Sequence, residues 1–208
     1  MRYVHLSIFA LGFLLVGCAE KAATKDSSLP NTIKTVLAIP DTVVYDSLLY
    51  FDKETSLWAL DGQLYSGYAV SFYRGDILKE KTGFLNGRKQ NKARQWFPDG
   101  HLKRESTYLK GRLHGEKKTW SSDSAHFLIS KLNYQSGKPQ GEQRIWYATG
   151  ELYKVLNLNQ GKEEGIQQAY RKNGELFANY EAKAGRIFGL KKAALCYGLE
   201  DENINYEN

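Results

Sequence analysis

From residue 63 onward, apolar and polar positions alternate in short runs, and glycine-centred polar clusters separate the runs. In "ELFANYEAKAG", Leu176, Ala178, Tyr180, Ala182 and Ala184 share one face, and Phe177, Asn179, Glu181 and Lys183 share the other. A period of two predicts a half-buried strand. The run belongs to a longer text that recurs. "GKPQGEQRIWYATGEL" begins at Gly137 and "GKEEGIQQAYRKNGEL" at Gly161. The leading glycines are Gly87, Gly111, Gly137, Gly161 and Gly185, spaced by 24, 26, 24 and 24 residues, with a degenerate first copy opening at Gln63. A fixed period of this length is the mark of a repeat architecture.

Each column predicts an element. Nine residues after the leader stands a large aromatic: Phe72, Trp96, Trp120, Trp146 or Tyr170. Four residues further, "FPDG", "YATG" and "RKNG" end on a glycine, which reads as a hairpin turn. Another apolar residue precedes the next leader by three: Phe84, Tyr108, Tyr134, Leu158 and a small Ala182. Each unit is therefore strand, turn, strand and a "G-[KR]-x-x-G" connection. Asn91 replaces the second glycine once, a mild change because Asn tolerates positive φ. The 26-residue copy is expected to carry its two extra residues in "SSDSAH". The expected fold is all-β: an elongated array of antiparallel β-hairpin repeats of about 24 residues forming a twisted sheet, with the aromatic column as its packed layer.

These columns resemble the bacterial variant of the MORN repeat found in YwqK-family proteins. The matching text is "YRKNGELFANYEAKAGR" and its sister copies, over residues 57 to about 190. The resemblance implies hairpins laid side by side and a binding or scaffolding role rather than an enzymatic one. Some members of the family are labelled antitoxins by genome context, so the resemblance fixes architecture better than partners.

The ends carry other signals. "MRYVHLSIFALGFLLVGC" places Arg2 before an apolar run and small residues before Cys18, the form of a secretory signal. "LVGC" resembles a bacterial lipobox, which implies lipidation at Cys18. The expected organisation is a lipoprotein signal peptide at 1–17 and a lipidated Cys18 with a flexible tether at 18–40. A β cap of two short strands follows at 41–62, then MORN-type hairpin repeats at 63–186 and a degenerate cap and tail at 187–208. Ala19 lacks the aspartate linked with inner-membrane retention, so the outer membrane is favoured if the cell has one.

Only Cys18 and Cys196 are present, so lipidation of the first leaves Cys196 without a partner in the chain. Apolar neighbours favour a packing role for it. His101, His114 and His126 stand in different repeats, and no metal or other cofactor is expected. The chain carries 29 Lys and Arg against 23 Asp and Glu. The excess is concentrated between Lys79 and Lys118, where twelve basic residues face four acidic ones. Arg88, Lys89, Arg94, Lys103 and Arg104 are the candidate binding residues from this stretch, toward an acidic protein or an anionic envelope surface. Export argues against nucleic acid as the partner. No Gly-x-Ser-x-Gly or His-Glu-x-x-His motif occurs, and no enzyme is expected. The sequence thus points to a lipid-anchored envelope scaffold that binds a protein or surface. Two alternatives stand beside it: a periplasmic accessory protein using Cys196 for metal or thiol chemistry, and an antitoxin-like inhibitor of a protein partner.

Overall fold

A computed structural model describes residues 38–190; Cys18, Cys196, the expected signal at 1–17, the expected tether up to residue 37 and the expected C-terminal cap and tail beyond residue 190 lie outside the described residues. Of the described residues, 63% are in strands and none is in an α-helix. The fold opens with β1 (Val43–Tyr45), a 3-10 turn (Asp46–Leu48), β2 (Tyr50–Asp52), β3 (Leu57–Leu60) and β4 (Gln63–Leu64). The repeat strands follow: β5 (Gly67–Phe72), β6 (Leu78–Leu85), β7 (Arg88–Trp96), β8 (Leu102–Leu109), β9 (Arg112–Trp120) and β10 (Leu128–Gln135). Next come the short β11 (Lys138–Pro139), then β12 (Gly141–Trp146), β13 (Leu152–Asn159), the short β14 (Lys162–Glu163), β15 (Gly165–Tyr170), β16 (Leu176–Lys183) and β17 (Arg186–Leu190). From β5 to β17 they form one antiparallel meander that does not close into a barrel. β1 adds to its first edge in parallel with β5. β2, β3 and β4 form a separate three-stranded sheet.

Two turn types alternate along the meander. The leading glycines sit in two-residue turns whose central residues both have positive φ, as at Asn86–Gly87, Lys110–Gly111 and Gln160–Gly161. That is the type I′ geometry whose twist matches the flanking strands. At the opposite end, the longer loops close through a backbone bond across the hairpin. Phe97 N–H donates to His101 O, and Tyr147 N–H donates to Glu151 O. The loop of the 26-residue copy, between Trp120 and Leu128, does the same through Ser121 N–H and Phe127 O.

The second glycine of each connection makes a break in the ladder. Gly115, Gly141 and Gly165 have φ of 92°, 76° and 92°, and Asn91 meets the same demand at 58°. Each lies opposite the apolar residue before the next leader: Asn91 faces Tyr108, Gly115 faces Tyr134, Gly141 faces Leu158 and Gly165 faces the small Ala182. Repeats are also tied together through the leaders. Gly111 N–H donates to Lys89 O, Gly137 N–H to Leu113 O and Gly161 N–H to Pro139 O.

The aromatic column does not form the packed layer. Phe72 is exposed and Trp96, Trp120, Trp146 and Tyr170 are only half-buried. Each ends its strand and pairs across the hairpin with a leucine, as Trp96 does with Leu102 and Trp146 with Leu152. A bulge beside each of these two pairs displaces the aromatic from the regular alternation. The buried residues lie elsewhere on the sheet and include Ala69, Thr82, Ser106, Gln143, Gln167 and Ala169. They mark one face as the inner one. Its N-terminal end is covered by the small sheet: Tyr65, Ala69 and Phe84 are buried, with Val44, Leu49, Trp58 and Leu60 packed against them.

Candidate binding surface

Register sorts the charged residues onto two faces. On the outer face a continuous cross-strand row holds Lys81, Arg94, Glu105, Lys118, Lys131 and Arg144. From Arg94 onward its charges are paired, while Lys81 lies 4.5 Å over the Tyr68 ring. Glu105 accepts from Lys92 Nζ at 2.8 Å and Arg94 Nε at 2.7 Å. Glu116 lies 2.7 Å from both Lys118 Nζ and Lys131 Nζ, and Glu142 accepts from Arg144 Nε at 2.7 Å. Burial pushes the Glu105 carboxyl upward, but the Lys92 and Arg94 hydrogen bonds outweigh it and leave the group below its ordinary range. For Glu116 the Lys118 and Lys131 bonds lead, again holding the carboxyl low.

The inner face is built differently. One row runs Glu80, Gln95, Arg104, Thr119, Ser130 and Ile145. The row beside it includes Thr82, Ala93, Ser106, Lys117 and Leu132. Glu80 is satisfied by neutral donors, Thr82 Oγ1 at 2.9 Å and Gln95 Nε2 at 3.0 Å. Further along, glutamines replace the ladder bonds lost at the glycine breaks. Gln167, only 1% exposed, accepts from Asn157 N–H at 3.0 Å and donates to Asn157 O and Gly165 O. Gln143 repeats the arrangement with Asn133 and Gly141.

The five candidate residues separate across these surfaces. Arg88 is exposed on the edge formed by the type I′ turns, where it lines a shallow groove of about 380 Å³ with Lys110, Arg112, His114 and Ser136. Lys89 lies with its Nζ 5.4 Å from the centre of the Tyr108 ring. It also lines a second groove, of about 360 Å³, beneath the small sheet. Arg94 is on the outer face, engaged by Glu105. Lys103 sits 5.6 Å over the Phe97 ring at the loop edge. Arg104 alone of the five reaches the central inner row. Cys18, the lipidation candidate, lies outside the described residues.

The second groove holds two carboxylates, Asp46 and Glu80. Each oxygen of Glu80 accepts one hydrogen bond, from Thr82 and from Gln95, and these fix the carboxylate against the sheet. Adjacent loop tips also bring together a group that spacing along the chain kept apart: Asp99, His101 and His126. Asp99 lies 3.4 Å from His101 Nδ1 and 3.3 Å from His126 Nε2. The two imidazoles are stacked, 3.7 Å apart and 13° from parallel. Parallel rings cannot both aim an in-plane lone pair at one ion, so this geometry does not itself form a metal centre. His114 has another task, accepting the Ser136 N–H at 3.4 Å.

Sequence reasoning missed Lys117. The signal was available: counted from the leader, its column reads Ala69, Ala93, Lys117, Gln143 and Gln167, a single charge among small or neutral residues. No protein-family profile matches the chain, and no curated protein matches it.

Proposed function

We propose that this chain is a lipid-anchored envelope protein of the MORN-variant type, acting as a scaffold that binds a protein or an anionic envelope surface. The observation that supports this reading best is the open meander, which presents the same positions at every second strand. Neighbouring strands lie about 4.8 Å apart, so equivalent residues recur about every 9.6 Å. Such a surface suits several weak contacts made together rather than one enclosed pocket. The lipobox at Cys18 and the polar tether supply the anchoring part of the reading.

Photo-crosslinkers placed at Lys92, Arg112 and Arg104 in living cells test the scaffold, because these positions sample the outer face, the turn edge and the inner face. One partner captured from one surface is the expected result, and no capture from any of the three rejects the scaffold. The anchor is tested separately. Labelled palmitate should enter the wild-type protein, and Cys18→Ala should release it from the membrane fraction. Retention of Cys18→Ala in that fraction would sink the anchor while leaving the scaffold standing.

A further inference from the structure

We propose that Arg104 and Lys117 form an oxyanion-binding site on the inner face, which takes a carboxylate or phosphate group. The two residues stand on neighbouring strands and the same face, since Arg104 pairs with Thr119 and Lys117 with Ser106. Both are half-buried. Arg104 Nε is shut off from solvent and has no acceptor among the described residues. Neither side chain has an acidic partner there, whereas the outer-face row clasps each of its glutamates. Burying a cation without an anion is costly, and two side by side add repulsion. Lys117 registers both effects: burial first, then Arg104, lower its ammonium from the ordinary lysine range. The nearest acid on the row is Glu80, already held by Thr82 and Gln95.

The scaffold does not require either charge. Other repeats place Ala or Gln where Lys117 stands, and Glu80, Ser130, Lys154 or Ala178 where Arg104 stands. Two variable positions therefore coincide in one place and leave an uncompensated positive pair. Tyr108 and Tyr134 border it. Burial raises both phenols, and Tyr108 also senses Glu80, Arg104 and Tyr134. A planar guanidinium fork beside an ammonium suits an oxyanion, with the guanidinium giving direction and the ammonium adding charge. This site is independent of the lipid anchor and of any partner along the sheet.

The test follows the Arg104 Nε–H signal by NMR in the full-length protein while inorganic phosphate, and in a parallel titration acetate, is added. Saturable movement with either anion is expected, and the tighter of the two identifies the group recognised. Lys117→Gln installs the residue that the next two repeats carry, so it is expected to fold with a melting temperature no lower than wild type. It should weaken anion binding at least tenfold and reduce the rise in melting temperature that the same anion concentration gives the wild type. Arg104→Ala, matching Ala178, should reduce that rise as well. A stationary Arg104 signal with both anions overturns the proposal. So does anion stabilisation that survives unchanged in both variants.

Discussion

The two faces of the meander use opposite means to manage polar groups. On the outer face, each glutamate of the central region is held by lysines or arginines that still reach water. On the inner face, the buried polar groups are neutral: Thr82, Ser106, Gln143 and Gln167 are enclosed, and the glutamines bond to backbone. Exposed ion pairs contribute little, because solvent screens them and ordering long side chains costs entropy. A buried amide that completes a broken ladder contributes more, because its loss leaves backbone groups unpaired. The outer face can therefore vary freely, while the inner face carries the fold. Arg104 and Lys117 depart from this division by placing two cations side by side, while Glu80, the acid on the same row, is held by Thr82 and Gln95.

The strongest challenge to this contrast is Phe84→Ala. Phe84 is 3% exposed beneath the small sheet, and its truncation should cost about 3–5 kcal/mol in urea unfolding. Gln167→Ala comes next, at about 3 kcal/mol, since it strands Asn157 N–H and two carbonyls. A cost below about 1 kcal/mol would show that the glutamine is replaceable by water and that the inner face is not the stabilising one. Glu105→Gln should cost only about 1 kcal/mol despite losing two partners.

That cost should also depend on pH. The Glu105 carboxyl lies below its unfolded value of 4.5, so its contribution is present above that value and disappears as pH falls below it. Melting temperatures of the wild type and Glu105→Gln should therefore converge in acid. Lys117 has the opposite sign. Its ammonium lies below the unfolded value of 10.5, so the unfolded chain holds the proton more tightly. The advantage of Lys117→Gln in melting temperature should be present at neutral pH and shrink as pH rises toward 10.5. The smallest expected effect is Arg144→Gln, with no resolvable change in melting temperature. A clear loss there would mean that the outer pairs act as a network.

The period, the strands and the glycine breaks were legible in the sequence because backbone conformation demanded them. Asn91 was readable as a stand-in for glycine, and its φ of 58° explains why. The site was less legible because side chains of different chemistry share one role. Ser66 Oγ, Gln90 Oε1, His114 Nδ1 and Gln140 Oε1 each accept an N–H from the next repeat's turn, at Asn86, Lys110, Ser136 and Gln160. A column of Ser, Gln, His and Gln looks random until the bonds are seen. The aromatic column misled for the converse reason. It is uniform in the sequence, yet it closes hairpins rather than filling the core, because a bulge turns it out of the alternation. Charge density alone also grouped Arg88, Arg94 and Arg104, which register distributes to an edge and two faces.

The meander has a mechanical consequence. Consecutive strands from β5 to β17 are neighbours, so tension applied at the two ends of the array pulls across the strands rather than along them. Bonds in that geometry peel one after another instead of shearing together. The array should extend at low force in steps of a hairpin, releasing about 24 residues each time, and recoil when the load is removed. Stretched between two attachments, this protein would behave as a compliant spring, yielding from its ends while its middle repeats stay folded.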